Sequence, residues 1–210
     1  MKAEEIEKNI SLEYEITVTD KERKKLYEKR EGVSKSYVKQ FIQTLALLLS
    51  RNSLTMVDTG GANVSVPLQC SQSGYSGFTT FNANAGEGDD SMGIVVGASD
   101  IAVANDDHNL YDQIHHGTDS GQLYYGDMTF FDIMEADGYL KLPMLRTFYN
   151  GSGAAIDGKE IGFVTQIYCK ATTYMIDYGY FLWIRDVLSP AVTVDAGKTL
   201  SVQYILKTKA

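Results

Sequence analysis

The amino-acid sequence changes character near Gly32. Residues 1–31 carry 17 charged side chains, 8 of Lys or Arg and 9 of Asp or Glu, whereas the other 179 residues carry 29. Those residues are rich in Gly, Ser, Thr and Tyr, with short β-branched runs. Because charged side chains are rarely buried, the sequence predicts a charged N-terminal arm, residues 1–31, joined to a β domain punctuated by glycine.

Composition limits the class of protein. With 210 residues, of which 44% are hydrophobic, the chain can form one domain with a real core. Its net charge of −8 argues against nucleic acid as the main partner, because phosphate binding needs clustered Lys and Arg. The longest apolar run, Leu45–Leu49, is too short to span a bilayer, and the first residues lack a signal-peptide core. We therefore expect no membrane partner and synthesis in the cytoplasm.

The arm contains a strand pattern. From Ile10 to Thr19, apolar and polar residues alternate, as in a half-buried strand. Such a strand pairs with the free edge of a sheet, either in its own chain or in a neighbour. The apolar face of this strand supplies four predicted assembly contacts: Leu12, Tyr14, Ile16 and Val18.

An amphipathic helix is predicted over residues 34–50, within a segment 32–52 that follows the arm. Ser34 or Ser36 can cap its start. The first interpretation of its apolar stripe is a face that closes one end of the β domain, and the alternative is a contact between subunits. The stripe completes the predicted assembly contacts with Tyr37, Phe41, Leu45 and Leu48.

Residues 53–210 have the pattern of a β domain. Short strands separated by Gly turns predict an all-β fold, a β-sandwich of jelly-roll type. Asp157-Gly158 is a tight-hairpin signal, Asp195-Ala-Gly197 is a second turn, and Pro143 indicates an edge strand or a bulge. The predicted strands are Val64–Gln69, Gly93–Ala98, Gln122–Met134, Leu140–Tyr149, Glu160–Lys170, Tyr174–Val187 and Thr199–Thr208.

Two long polar segments are candidate contact surfaces. Loops of this length without structure of their own are often functional. One lies between Cys70 and Ser91, and its candidate binding residues are Tyr75, Phe78 and Phe81. The other runs from Asn105 to Ser120 and is rich in Asp and His.

Asp58 is the one candidate for catalysis. Val57-Asp58-Thr59-Gly60 resembles the D-T-G signature of aspartic proteases, which bring two such aspartates together to share a proton. The chain has a single copy, so a homodimer would have to supply the second. A turn explains Asp-Thr-Gly-Gly equally well, and we expect that the protein is not an enzyme and holds no cofactor.

The Asn105–Ser120 segment also contains residue types that bind metals. Its histidines and carboxylates suit zinc or manganese, but their spacing is not that of a helical metal-binding pair, and a polar surface loop is the favoured interpretation. Cys70 and Cys169 are expected to be small buried residues, unless an oxidising compartment pairs them. The candidate ligands are Asp106, Asp107, His108, Asp112, His115, His116 and Asp119.

The stretch from Gly93 to Lys207 resembles a family of virion structural proteins of tailed phages and related viruses. The resemblance depends on the order of three pieces: GIVVGASDIAVANDDHNLYDQIHHGTDSGQLYYG, LRTFYNGSGAAIDGKEIGF and FLWIRDVLSPAVTVDAGKTLSVQYILK. It covers about half of the chain and leaves out the arm. It implies a component of a virus particle without saying which component.

The predicted function is therefore structural. The protein is expected to act in the virion as a capsid-associated, decoration or tail-connection component, after synthesis in the host cytoplasm. Its expected partners are other virion proteins and copies of itself. The alternative is a carbohydrate- or host-receptor-binding module that uses aromatic residues, among them Tyr75, Phe78, Tyr124 and Tyr125.

Overall fold

The computed structural model describes residues 10–22, 24–34, 36–50, 54–66, 81–170 and 176–209, with the backbone alone at residues 10, 46–50, 168–170, 176 and 177. These residues form the helix α1, Lys39–Ser50, and thirteen strands. The strands are β1 Ile10–Asp20, β2 Leu26–Ser34, β3 Leu54–Val57, β4 Asn63–Val66, β5 Phe81–Asn82, β6 Gly93–Gly97, β7 Tyr124–Tyr125, β8 Thr129–Phe130, β9 Met134–Ala136, β10 Tyr139–Tyr149, β11 Ile156–Lys170, β12 Ile176–Val194 and β13 Lys198–Lys209.

Two antiparallel sheets form the body of the protein. Sheet A has the order β2-β1-β13-β10-β7, and β8 and β9 also pair with β10. Sheet B has the order β12-β11-β5, and β6 also pairs with β11, while β3 and β4 form a separate hairpin. Both sheets contribute to one buried core. The predicted all-β sandwich with one helix is confirmed, and the jelly-roll order within that class stays a prediction.

The predicted N-terminal strand is confirmed as β1, and it lies inside the sheet of its own chain. β1 pairs with β13 on one side and with β2 on the other. Its apolar face is buried in the core through Leu12, Ile16 and Val18. This corrects the boundary predicted at residue 31, because β1 and β2 belong to the β body. Residues 1–9 lie outside the described residues.

β2 places the charge of this region in an edge strand. Glu28, Arg30 and Gly32 follow its inner face, where β1 carries apolar residues. Gly32 lies opposite Tyr14, and a Cβ at Gly32 would stand 2.4 Å from Cζ of Tyr14. An aromatic ring across an edge glycine supplies the packing that the glycine lacks. The edge strand is therefore held to β1 although it buries little apolar surface.

The helix begins later than predicted. Ser34 ends β2, and Tyr37 forms a β-bridge with Ile184, so the predicted caps, Ser34 and Ser36, lie in the strand and in the connector that follows it. Strand pairing to both sheets prevails over the capping signal at these positions. Within the part of the chain that the structure describes, no helix has the length and hydropathy of a membrane span.

The buried face of α1 also differs from the predicted stripe. Gln40 and Thr44 are buried, whereas Leu45 and Ile42 are exposed. Nε2 of Gln40 donates to the carbonyl of Val57 at 3.3 Å, and the Thr44 hydroxyl donates to the carbonyl of Gln40 at 2.8 Å. These bonds let polar side chains occupy the face that packs on the β3–β4 hairpin.

The predicted strand over residues 122–134 is divided into β7, β8 and β9. The division between β8 and β9 lies opposite Pro143, whose carbonyl accepts a hydrogen bond from Phe131 N at 3.1 Å. In a strand the nitrogen and carbonyl of one residue point to the same side, so the proline nitrogen, which has no hydrogen, also faces this gap. Pro143 therefore interrupts the ladder on one side of β10, and β10 itself lies inside sheet A.

The two predicted turns have different outcomes. The hairpin at Asp157-Gly158 is wrong, because both residues lie within β11, where a register shift between Gly158 and Glu160 marks a bulge. The turn before the last strand is confirmed. Gly197 has a φ of 77°, and Lys198 N donates to the carbonyl of Asp195 at 3.0 Å. This turn carries the chain from sheet B to sheet A.

Arg185 is buried between two carboxylates. Its Nε donates to Oε2 of Glu160 at 2.7 Å, its Nη1 to Oδ2 of Asp107 at 3.0 Å, and its Nη2 to the carbonyl of Ile101 at 2.8 Å. The ring of Tyr111 lies 4.7 Å from the guanidinium carbon. Arg185 thus fastens the loop after β6 to sheet B.

Arg146 is a second buried guanidinium, and backbone carbonyls surround it. The ring of Tyr125 lies 4.8 Å from its guanidinium carbon. The guanidinium donates five hydrogen bonds to these carbonyls. The bonds hold the segment before β6 against β10. The acceptors are the carbonyls of Gly86, Asp89, Met92, Ile94 and Gly126.

Arg185→Met is expected to lower the free energy of unfolding by about 3–5 kcal/mol, because two buried carboxylates then lose their cation. Urea denaturation followed by tryptophan fluorescence measures the change. The matched control is Lys159→Met, which removes an exposed ion pair with Asp100 (3.6 Å) and should cost at most about 1 kcal/mol. A similar small loss in Arg185→Met would contradict the assigned role.

Candidate functional site

An apolar cleft lies between the two sheets, where β13 ends and β10 begins. Its volume is about 400 Å³, which is within the range of natural binding pockets. Both sheets, the connector after β2 and α1 contribute to its walls. The residues that line it include Tyr37, Phe41, Phe130, Phe163, Thr165, Trp183 and Leu206.

One wall of the cleft is a chain of aromatic rings. Tyr37 and Phe41 stack with their centroids 4.6 Å apart, and Phe41 meets Trp183 edge-on at 5.7 Å. Phe163 continues the wall, 6.1 Å from Trp183. Contacts of this kind hold large flat rings in fixed orientations, so the wall is a preformed surface.

Three residues of the cleft contain buried polar atoms that have no hydrogen-bond partner among the residues that the structure describes. They are the hydroxyl oxygens of Tyr37 and Thr165 and Nε1 of Trp183. Each such atom costs about 1–3 kcal/mol of stability. This end of the sandwich is therefore not optimised for the stability of the isolated chain alone.

The inner face of sheet A continues beyond the cleft into solvent. Phe130 lies opposite Met144, and Leu206 lies opposite Leu142, so all four share the core face of the sheet. The neighbouring chain between β8 and β9 exposes Ile133 by 68%. We call the exposed apolar residues at this end the apolar rim: Phe130, Phe131, Ile133, Met134, Leu140 and Leu206.

Asp186 lies among tyrosines between the sheets. The Tyr204 hydroxyl donates to its Oδ2 at 3.2 Å. Burial, together with this carboxylate, raises the pKa of Tyr204 well above its ordinary value. Burial and the Asp186 charge also raise the pKa values of Tyr37 and Tyr14. These phenols therefore remain neutral hydrogen-bond donors to higher pH than free tyrosine.

The predicted assembly contacts of the strand fall inside the chain. Leu12, Ile16 and Val18 are buried in its own core, and Tyr14 is half-buried against Gly32. This corrects their assignment as contacts with a neighbour, because sheet B already covers their face.

The predicted contacts of the helix stripe are divided. Tyr37 and Phe41 are half-buried in the wall of the cleft. Leu45 is exposed, and its contact with another subunit stays a prediction. The side chain of Leu48 lies outside the described residues.

The candidate binding loop is described only at its end. Phe81 begins β5 and lines the cleft, whereas Tyr75 and Phe78 lie outside the described residues, as do Cys70 and the side chain of Cys169. For the carbohydrate-binding alternative, Tyr125 is unsuitable, because it is fully buried and its hydroxyl donates to the carbonyl of Ile114 at 2.6 Å. Tyr124 is half-buried, and its hydroxyl bonds Glu87.

Asp58 belongs to the turn between β3 and β4. Its Oδ1 accepts a hydrogen bond from Ala62 N at 2.8 Å, and its own nitrogen donates to the Ala62 carbonyl at 3.0 Å. The turn explanation of the D-T-G motif is therefore confirmed.

Three of the predicted metal ligands, Asp107, His115 and His116, have separate hydrogen-bond partners. Asp107 binds Arg185, and Nδ1 of His115 lies 3.0 Å from Oδ2 of Asp90. Nδ1 of His116 accepts the nitrogen–hydrogen of Tyr125 at 3.1 Å. Among the residues that the structure describes, no three His, Cys, Asp or Glu side chains are placed to hold a metal ion.

Sequence reasoning missed most of the rim and the cleft. One predicted strand covered Phe130, Phe131, Ile133 and Met134. Two adjacent pairs of apolar residues, Phe130–Phe131 and Ile133–Met134, break the alternation that a half-buried strand would show. That break is the signal that could have identified them. Trp183, the single tryptophan, offers no such signal.

No protein-family model, no curated protein and no solved structure matches this chain. The resemblance of residues 93–207 to virion structural proteins therefore stays an expectation from sequence.

Thr165→Val is expected to raise the free energy of unfolding by about 1 kcal/mol, because it removes a buried hydroxyl that has no partner. Thr44→Val is the matched control: it removes a buried hydroxyl that donates to Gln40 and should lower stability by about 1 kcal/mol. Chemical denaturation of both variants measures the difference. Equal losses in both would show that the Thr165 hydroxyl has a partner.

Stability is expected to fall as pH rises above about 10, partly because of Tyr204. The pKa of Tyr204 is raised in the folded protein, so as pH rises the phenol loses its proton in the unfolded chain at a lower pH than in the folded protein. This deprotonation stabilises the unfolded chain and lowers the free energy of unfolding. In Tyr204→Phe, the free energy of unfolding should fall less steeply with pH, by up to about 1.4 kcal/mol per pH unit. Denaturation at neutral pH and above pH 10 measures both slopes. Identical alkaline slopes would contradict the assignment.

Proposed function

We propose that this chain is a structural component of a virus particle, of the capsid-associated, decoration or tail-connection kind. It acts by binding other virion proteins and copies of itself, after synthesis in the host cytoplasm. The proposed role needs no catalytic step, no cofactor and no bound nucleic acid. The resemblance of residues 93–207 supports the particle, and the surface of the fold supports the mode of action.

The observation that carries the proposal is the apolar rim beside an open cleft. Large apolar side chains that are exposed at one end of a domain mark a surface that another molecule covers. Aromatic and aliphatic anchors that meet a preformed pocket are the usual centre of a protein interface. Phe130 and Leu206 belong to both the rim and the cleft, so one partner segment can cover the rim and fill the cleft.

The rest of the body suits a component that holds its shape. Arg185 and Arg146 fasten the two segments that flank β6 to the sheets, so these segments do not depend on a partner for their order. A subunit whose loops are fixed before assembly loses less conformational entropy when it binds.

Ile133→Asp is expected to reduce incorporation of the chain into virus particles by at least about tenfold, because it places a charge at the most exposed residue of the apolar rim. The measurement is quantitative mass spectrometry of purified particles made with each variant. Ile101→Asp is the matched control, because Ile101 is similarly exposed but lies in the loop held by Arg185.

Two outcomes would contradict the proposal. Absence of the wild-type chain from particles would reject the virion role. Equal incorporation of the Ile133 and Ile101 variants would reject the apolar rim as the contact surface.

A further inference from the structure

Two edge strands of the sandwich, β12 of sheet B and β2 of sheet A, have different surroundings. The edge of sheet B is covered: Val38 N donates to the carbonyl of Trp183 at 3.0 Å, Arg185 N to that of Ser36 at 3.2 Å, and Thr59 N to that of Tyr180 at 2.8 Å. One edge of sheet A is β2, a strand of nine residues: eight of them pair with β1, a bulge leaves Tyr27 without a partner in β1, and no other strand among the described residues pairs with β2. The outward N–H and C=O groups of β2 are therefore open to another strand.

The outer face of β2 reads apolar, basic, acidic, apolar. Tyr27, Lys29, Glu31 and Val33 alternate with the inner-face residues, and all four are exposed. The ring of Tyr27 is held in place by Nζ of Lys198, 3.6 Å from its centroid. When two copies of this strand are placed antiparallel, the series of one copy faces the same series in reverse order. Each charged residue can then face a residue of opposite charge, and each apolar residue can face another apolar residue.

We propose that β2 pairs antiparallel with β2 of a second copy, with Arg30 at the two-fold axis. In this register, Lys29 lies opposite Glu31 of the second copy, and Tyr27 lies opposite Val33 of the second copy. Each pair occurs twice by symmetry. Opposite charges and aromatic–β-branched pairs are the combinations that stabilise antiparallel neighbours. Sheet A then continues from one copy into the next.

The neighbouring registers are unfavourable. Two-fold pairing keeps the faces of both strands aligned, so the two neighbouring registers move the axis from Arg30 to Lys29 or to Glu31. One register puts Lys29 opposite Lys29 of the second copy, and the other puts Glu31 opposite Glu31. Like charges directly opposite are destabilising, so the outer-face charges disfavour both of these registers, whereas the two Arg30 side chains at the axis of the proposed register are each paired with Glu28 of their own chain.

The inner face of β2 is compatible with this pairing. Nη2 of Arg30 lies 2.6 Å from Oε1 of Glu28 and donates to the carbonyl of Ala191 at 2.6 Å. The two Arg30 side chains at the axis are therefore each tied back to their own chain. Glu28 lies opposite Gly32 of the second copy, where the Tyr14 ring of that copy covers the glycine. Inward charges of this kind ordinarily discourage pairing at an edge, but these are already paired within the chain.

This inference rests on the proposed function, since it names a second copy as one assembly partner. The test is sedimentation velocity of the full chain with exchanged charges. Lys29→Glu and Glu31→Lys are each expected to weaken self-association by at least about tenfold. An equimolar mixture of these two variants should form a heterodimer, because each of its opposite pairs is again acid against base. The double variant, with both substitutions in one chain, should self-associate like the wild type.

The controls separate this surface from the apolar rim. Lys209→Glu changes a lysine at the end of β13 and should leave self-association unchanged, and so should Ile133→Asp. A wild-type chain that stays monomeric, or a mixture of the two single variants that fails to associate, would overturn the pairing. Neither result bears on the particle-incorporation test. Conversely, normal incorporation of the Ile133→Asp variant would reject the apolar rim as the contact surface and would leave the proposed β2 pairing untouched.

Discussion

The burial of two arginine side chains organises the irregular part of this fold. A guanidinium is stable inside a protein only when its hydrogens are satisfied, and the chain supplies acceptors from its loops. Arg185 draws in Asp107 and the carbonyl of Ile101, and Arg146 draws in the carbonyls around β6. The loops are thus held by the same bonds that make the buried charges tolerable. The cleft differs from these arginine sites: among the described residues, some of its buried polar atoms have no hydrogen-bond partner, and apolar side chains beside it face solvent.

Local pattern was sufficient for the regular strands of the fold. The alternation at residues 10–19 predicted β1, and the similar pattern of the last strand predicted β13, since one buried face requires a period of two. Local sequence pattern failed where the same residues are compatible with two different local structures. Asp157-Gly158 suits a hairpin turn and also a bulge, and only the partner strand decides between them. Ser34 suits a helix cap, but pairing with β1 extends β2 through it.

The candidate site depended on tertiary structure to a greater degree. The cleft joins Leu12, Tyr37, Phe130, Trp183 and Leu206, which are distant in sequence, and no local pattern indicates such a meeting. The helix shows the same limit: of its predicted apolar stripe, Phe41 faces the cleft of its own chain and Leu45 is exposed, while the buried Gln40 and Thr44 side chains donate hydrogen bonds to backbone carbonyls. The strand residues expected to reach a neighbour were identified as a buried face, but the sheet that buries them is their own.

Arg30 gives the fold a mechanical property. By bonding the carbonyls of Pro190 and Ala191, it ties the outermost strand of sheet A to the outermost strand of sheet B. Behind it, β1 and β13 are joined along their length by bonds that run perpendicular to the strands. Tension applied along β2 therefore acts on these bonds together, in shear, and is shared by both layers. A shell or tail built through that strand would resist stretching with the whole sandwich rather than by peeling one strand at a time.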